Sequence, residues 1–309
     1  MSSSIFIVGS TCSGKSHWSL QIADRCPAVI FNCDSVQLYK DLKIGSAQPS
    51  DDEMKRHPHY LFDFVTPPNE MTAGEYRRIF FHTLDQIKDH SPPMHLVVGG
   101  TGFYFQALEK GLFEIVKVDS RIKKEVEDQL KTPSGLESAY AELAEKDPEA
   151  IEKIHRADAY RIGRALEILR SSGRKVSELH REQKEKAPVY PEPLLKIGFY
   201  FEKEELRIRV KQRTEMMLKQ GLLEETEAVI KKGFADWAPL QSVGYKEAVA
   251  YLNGEISYDE MKELIGVHTM QLAKRQRTWF KRDSNIHWFH GNSDLEPVMQ
   301  LVNQHLSLA

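Results

Sequence analysis

Cysteine is scarce: Cys12, Cys26 and Cys33 are the only three in 309 residues. Their odd number and the lack of any C-x-x-C pair argue against a disulfide framework and a thiolate zinc site. Long apolar runs are missing as well. Ile5–Val8 and Leu96–Val98 fall far short of the roughly 20 residues that a bilayer span requires. No basic leader precedes the first apolar run, which leads into a glycine motif rather than a cleavage site. There is no surplus of positive charge: 42 Lys+Arg stand against 45 Asp+Glu, for a net charge of −3. That balance excludes a histone-like or ribosomal-tail protein and still permits a local basic patch. The twelve histidines show no H-x-x-x-H or comparable ligand spacing, so none is assigned to a metal. Together these absences lead us to expect a cytoplasmic protein that does not enter a membrane.

Hydrophobic residues make up 41% and charged residues 28% of the chain, the balance of an ordinary globular protein. At roughly 150 residues per domain, the length suggests two domains, or one large domain carrying an insertion. Short apolar, β-branched runs at Ile5–Val8, Val29–Phe31, His95–Val98, Lys196–Phe201 and Ile286–Phe289 read as buried parallel strands. Helical patterns cover Gly74–His90, Glu204–Lys232, Asp259–Lys281 and Asp294–Leu306. Between Glu114 and Pro193 the strands disappear. That stretch reads as helices at Ser120–Leu130, Gly135–Glu145, Pro148–His155, Ala157–Ser171 and Val176–Lys184. The expected architecture is an α/β, doubly wound parallel-sheet core built from 1–113 and 194–309, with an all-helical insertion at 114–193.

Gly9, Ser10, Thr11, Cys12, Ser13, Gly14, Lys15 and Ser16 fit G-x-x-x-x-G-K-[ST] without a gap, between a strand and a helical run from Ser16 to Asp24. In such a P-loop, glycines let backbone N–H groups wrap phosphate oxygens. The lysine supplies a point charge and the serine hydroxyl can ligate Mg²⁺. The core is therefore expected to be P-loop NTPase-like. A cradle for phosphate does not choose a reaction. Asp34 follows the second strand, at the carboxyl end where α/β sheets bind ligands, so it is a general base, a Mg²⁺ partner or a loop cap. The next strand runs into Gly99-Gly100-Thr101-Gly102, with no Asp of the kind that phosphate hydrolases carry there. Thr101 is either a ligand contact or the cap of a strand-to-helix turn.

These motifs occur together with Asp34-Ser35-Val36-Gln37-Leu38-Tyr39, Ile44-Gly45-Ser46-Ala47-Gln48-Pro49 and Gly99-Gly100-Thr101-Gly102-Phe103-Tyr104. They continue through Arg161–Glu167, Gly244-Tyr245-Lys246-Glu247 and Gln271–Phe280. In this order and spacing, across nearly the whole chain, they resemble the bacterial tRNA dimethylallyltransferases, or tRNA isopentenyltransferases. The resemblance implies transfer of a dimethylallyl group from dimethylallyl pyrophosphate to N6 of the adenosine 3′-adjacent to a tRNA anticodon, with Mg²⁺. The cradle would then hold a pyrophosphate leaving group, which accounts for the missing Asp. Asp34 would take the proton from the amine, a weak nucleophile that needs both a base and positioning. Thr101 would contact the reacting centre, Lys15 and Ser16 with its Mg²⁺ would neutralise the leaving group, and Arg209 and Arg213 would reach the pyrophosphate from one helix face.

The resemblance also assigns tRNA contacts to Asp34, Ser35, Val36, Gln37 and Thr101, and to Lys123, Tyr160, Arg161, Ile162, Gly163 and Arg164 in the insertion. It adds Gln241, Ser242, Val243, Gly244, Tyr245 and Lys246, and then Lys274, Arg275, Gln276, Arg277, Thr278, Trp279, Phe280 and Lys281. The segment from Lys274 to Arg282 holds five basic residues and no acid, enough to neutralise several phosphates. Trp279 would stack on a base or pack inside. Lys123 replaces a family arginine and keeps charge without the planar fork. Ser10 and Cys12 replace the usual Pro and Ala, changes a backbone-binding loop should tolerate. Cys12 is expected to be a small loop filler, and Met216 and Met217 core filling. The chain stops after the helix ending near Leu306, without the zinc-finger extension of eukaryotic relatives, and is expected to be bacterial and monomeric. Rival readings are a small-molecule kinase using ATP with Asp34 as base, a prenyltransferase acting on free adenine nucleotides, and a non-catalytic RNA-binding module.

Overall fold

A computed structural model describes residues 2–87, 92, 94–112, 118–185 and 190–308. Its chain divides into two compact units, 1–108 with 190–309, and 109–189. In chain order the elements are β1 (Ser3–Gly9), α1 (Lys15–Ala23), β2 (Ala28–Asn32), α2 (Asp51–Arg56), β3 (His59–Tyr60), α3 (Ala73–Ile87), β4 (Met94–Gly99) and α4 (Gly102–Lys110). The second unit contributes α5 (Ser120–Gln129), α6 (Pro133–Lys146), α7 (Pro148–Ile151), α8 (Ala159–Ser172) and α9 (Val176–Glu185). The first unit resumes with β5 (Leu194–Tyr200), α10 (Lys203–Lys219), α11 (Leu222–Lys231), a 3-10 turn (Ala238–Gln241), α12 (Tyr245–Leu252), α13 (Tyr258–Phe280), β6 (Ile286–His290) and α14 (Leu295–Leu308).

The sheet is parallel throughout, in the order β3-β2-β4-β1-β5-β6. Its central strands are buried on both faces, which is why they read as unbroken apolar runs. Along β1, Phe6 and Val8 join one cluster, with Tyr76 and Phe80 of α3 and Phe105 of α4. Ile5 and Ile7 join the other, with Trp18 and Ile22 of α1 and Val298 and Val302 of α14. Alternation with period two thus splits one strand between two layers. At about 1.5–3 kcal/mol for each fully buried large side chain, these two layers dominate the stability of the unit. Strand order places the carboxyl ends of β2, β4 and β1 side by side, and the loops that follow them carry Asp34, Thr101 and the P-loop.

Several elements differ from the sequence expectation. The edge strand β3 pairs with β2 over only two residues, too short to show a period. The helical pattern Glu204–Lys232 is two helices, because Gly221 adopts φ +102° and ends the run after α10. A glycine in that left-handed region bears no Cβ penalty, whereas its neighbours would. The pattern Pro148–His155 keeps only four helical residues. Beyond them His155 accepts from the Ala157 N–H, and Asp158 accepts from the Arg161 N–H to cap α8, side-chain bonds that compete with helix continuation. The second unit has its own apolar centre in Val126, Leu143, Ile162, Leu166 and Leu179. Of the expected helix Gly74–His90, residues 88–90 lie outside the described residues.

Candidate active site

The P-loop is shaped by its backbone. Gly9 sits where a Cβ would lie 2.4 Å from the Phe199 carbonyl and 2.7 Å from Ser13 Oγ, so only glycine fits. Gly14 has φ +88° and opens α1, while Cys12 has φ +61°. The loop is held from outside. Arg209 Nε donates to the Cys12 carbonyl (2.9 Å) and Arg213 donates to Thr11 Oγ1 (3.1 Å). The two arginines stand one turn apart on α10, as their spacing predicts. The Arg209 guanidinium also lies 4.3 Å from the centre of the Phe201 ring, a contact the sequence did not signal. Lys15 Nζ donates to the Ser10 carbonyl (2.6 Å).

Burial pushes the Lys15 ammonium down from its ordinary value to about 8, opposed by the Asp34 carboxylate and reinforced by Arg213. A cation that the surrounding protein disfavours gains most when an anion arrives beside it. Ser13 is fully buried and its hydroxyl has no partner among the described residues. An orphaned buried donor is costly, and phosphate oxygens in the cradle would satisfy it. Ser16, in the first turn of α1, has an exposed side chain. A hydroxyl, together with pyrophosphate oxygens and water, is an oxygen donor set suited to Mg²⁺. Among the described residues no group of three His, Cys, Asp or Glu could hold a metal.

Asp34 is held by its own backbone rather than by a neighbouring charge. Asn32 Oδ1 accepts from the Asp34 N–H (2.9 Å) and Asn32 Nδ2 donates to the Asp34 carbonyl (3.1 Å). The carboxylate Oδ1 accepts the Val36 N–H (3.0 Å), and Oδ2 has no hydrogen-bond partner among the described residues. Tyr76 Oη donates to the Asn32 carbonyl (2.6 Å) from beneath. Neither Asn32 nor Tyr76 was singled out from sequence. Thr101 Oγ1 accepts the Ser35 N–H (2.9 Å) and donates to Ser35 Oγ (3.2 Å), so its hydroxyl ties the Asp34 loop to the loop after β4. Gly99 makes that approach possible, since a Cβ there would fall 1.9 Å from the Cys33 carbonyl. Thr101 is thus a tie between the two loops.

The motif Ile44–Pro49 has a clamp that sequence reading did not find. The Glu225 carboxylate on α11 accepts the N–H groups of Lys43 (2.8 Å), Ile44 (2.9 Å) and Gly45 (3.2 Å) and the Tyr245 hydroxyl (2.6 Å). The loop so held presents the Ser46 and Ala47 carbonyls to Gln37 Nε2 (3.1 and 2.7 Å). Two cavities meet at this assembly. One of about 460 Å³ is lined by Lys15, Ser16, Asp34, Gln37, Arg209 and Arg213. The other, about 80 Å³, lies between Thr11, Asp34, Arg213, Val243, Ile265 and Gln276.

Part of the expected RNA-contacting set is buried. Tyr245, Ile162 and Phe280 are packed inside, and Gly163 and Gly244 are buried too. Their motifs are apolar at those positions because the helices need a core-facing stripe. Trp279 is half-buried and lies against Gly102, where a Cβ would come within 2.1 Å of the indole. By contrast Tyr160 is 83% exposed, and Lys123, Arg161, Gln241, Lys274, Arg275, Thr278 and Lys281 are exposed as well. Lys123 pairs with Glu127, Arg161 with Asp158 and Arg164 with Glu167. Met217 is buried, but Met216 is 52% exposed and lines the larger cavity; a helix face turns through about 100° between neighbours, so the pair cannot share one environment.

Comparison with known proteins agrees with this geometry. The family model for IPP transferase matches residues 37–283. A tRNA dimethylallyltransferase of Bdellovibrio bacteriovorus is 50% identical over 302 residues, covering 98% of this chain and 97% of its own. One from Synechocystis is 40% identical, covering 96% and 95%. Among solved structures, a full-length tRNA isopentenylpyrophosphate transferase of Bacillus halodurans is 26% identical with a TM-score of 0.73, covering 99% and 97%. A eukaryotic dimethylallyltransferase acting on tRNA is 25% identical with a TM-score of 0.81, covering 99% of this chain and 80% of its own. The chain belongs to the IPP transferase family.

Proposed function

We propose that this protein transfers a dimethylallyl group from dimethylallyl pyrophosphate to N6 of the adenosine 3′-adjacent to the anticodon in tRNAs, releasing pyrophosphate. The observation that carries this reading is the single assembly of anion cradle and carboxylate. Asp34 lines both cavities with Thr11 of the P-loop and the larger of them with Lys15 as well, and β4 ends in Gly99 with no acid to activate a hydrolytic water. The full-length match to enzymes of that name supports the same transfer and gives no support to an ATP-dependent kinase.

In the proposed reaction the adenine N6 attacks C1 of the donor as the C1–O bond breaks. The N6 proton passes to the free Oδ2 of Asp34, and the electron pair of the broken bond leaves with pyrophosphate. Lys15, Arg209, Arg213 and the Ser13 hydroxyl take up the charge that grows on the leaving group. Thr101 keeps Asp34 and Ser35 in place against the loop after β4. When bound at Ser16, Mg²⁺ would supply further neutralisation of the departing pyrophosphate.

The target base must leave its stack to reach Asp34. Cations support RNA docking: Lys274, Arg275 and Lys281 are exposed and Arg277 is half-buried, on or just beyond α13, and none of them makes an ion pair among the described residues. The exposed Tyr160, Arg161 and Lys123 of the second unit supply a further set that would engage the anticodon arm. No helix among the described residues is long and apolar enough to cross a membrane. We assign the protein to the cytoplasm, acting as a monomer. Mass spectrometry of nucleosides from unmodified tRNA incubated with the protein, dimethylallyl pyrophosphate and Mg²⁺ tests the proposal. The expected product is an adenosine heavier by one dimethylallyl group next to the anticodon; an unchanged tRNA with an adenosine-rich anticodon loop would refute it.

A further inference from the structure

Gln276 lies in the most basic stretch of α13, between Arg275 and Arg277, where an RNA contact is the natural expectation. Its side chain does something else. Oε1 accepts the Thr11 N–H of the P-loop at 2.7 Å, and Nε2 donates to the Gly100 carbonyl at 3.0 Å. One amide therefore spans the two loops that the reaction must hold in register. Thr11 is also the residue whose hydroxyl receives Arg213. Gly100 separates Gln276 from the base: a Cβ there would lie 2.4 Å from Gln276 Nε2 and 3.5 Å from Asp34 Oδ2.

We infer that Gln276 is a positioning residue for the transfer, setting the distance between the leaving-group cradle at Thr11 and the Asp34–Thr101 assembly, rather than a tRNA contact. The inference rests on the proposed prenyl transfer and names a further residue for it. Three features support it. Both hydrogen-bonding ends of the amide are used, in complementary senses, so the side chain has one donor and one acceptor direction fixed at once. Its neighbours Lys274 and Arg275 are exposed while Gln276 is not, so the helix turns its charges outward and this amide inward. Gln276 also walls the small cavity beside Asp34. Because α13 carries the exposed cations as well, its placement on RNA and the register of the two loops share one rigid helix.

An in-line transfer is sensitive to such register. A misplacement of about 1 Å costs roughly 100-fold in rate. The test compares wild type with Gln276→Ala and Gln276→Glu, measuring kcat and the KM values for tRNA and donor, with salt dependence of tRNA binding. The second variant keeps the side chain's size and the acceptor for Thr11 but loses the donor to Gly100, so it separates positioning from a general loss of folding, which thermal melting reports. The expected result is a fall in kcat of about 10- to 100-fold for Gln276→Ala with KM for tRNA within about threefold and the salt slope unchanged. Gln276→Glu should lower kcat at a melting temperature like wild type. A raised KM for tRNA and a shallower salt slope, with kcat retained, would overturn the inference and return Gln276 to the RNA surface. Retained kcat and KM in both variants would overturn it equally. Wild type run in parallel keeps this outcome separate from the proposed activity, since a wild type without product would refute that activity instead.

Discussion

Replacing Asp34 with Asn removes the proposed base while leaving its surroundings in place. The backbone of residue 34 is held by Asn32 through its own N–H and carbonyl, neither of which the substitution touches. The carbonyl oxygen of an Asn side chain can still accept the Val36 N–H, the one bond that the Asp34 side chain makes with the backbone. The fold should therefore lose little, about 1 kcal/mol or less, because the backbone bonds and the Val36 bond are kept. Catalysis should lose the general-base contribution, typically 10²–10⁴-fold, or about 3–5 kcal/mol of barrier. The assay is single-turnover prenylation of an anticodon stem-loop with saturating donor, read by mass, beside a filter-binding measurement of tRNA affinity. We expect kcat to fall by at least 100-fold with the tRNA dissociation constant within about threefold. A fall of less than tenfold, with the protein folded, would show that the proton leaves by another route and refute the assignment.

Glu225→Gln replaces a carboxylate that receives three backbone N–H groups and the Tyr245 hydroxyl. An amide turns a donor toward some of these donors, so denaturant titration of the protein should show a loss of about 2–4 kcal/mol, and a loss under 1 kcal/mol would deny the clamp its role. Lys15 is lowered to about 8 by burial, so it sheds its proton as pH rises through that value. Pyrophosphate affinity of wild type relative to Lys15→Met should be level below about pH 7 and decline above pH 8; a ratio independent of pH would contradict the assignment. Lys274→Ala with Arg275→Ala should weaken tRNA binding and reduce the log–log salt slope by about 1.5. An unchanged slope would make those residues a solvated helix face.

Much of the site could be read because its chemistry is local. The P-loop needs glycine at Gly9 and Gly14 for backbone reasons that act within a few residues, and Lys15 and Ser16 follow directly in the chain. Asp34 was legible because it follows a strand, and strand ends converge in a parallel sheet. The arginines Arg209 and Arg213 share a face by helix geometry alone. The buried strands were legible as unbroken apolar runs. The two-residue β3 was not, being too short for any periodicity, and the break at Gly221 looked like one glycine inside a long helical pattern.

What the sequence determined by itself was the set of local devices: cradle, strand ends, amphipathic helices and an α/β core interrupted by helices. Tertiary structure decided which side chains meet across long separations. Glu225 reaches the loop at Lys43–Gly45, and Gln276 reaches Thr11 and Gly100. Tyr245, Ile162 and Phe280 turn inward, although the family resemblance assigned them tRNA contacts. Periodicity assigns a residue to a face of its own element, but what that face meets depends on how the elements are brought together. Side-chain amides and carboxylates carry no periodic signal to say which backbone groups they will satisfy, so these partners emerge only when distant segments pack.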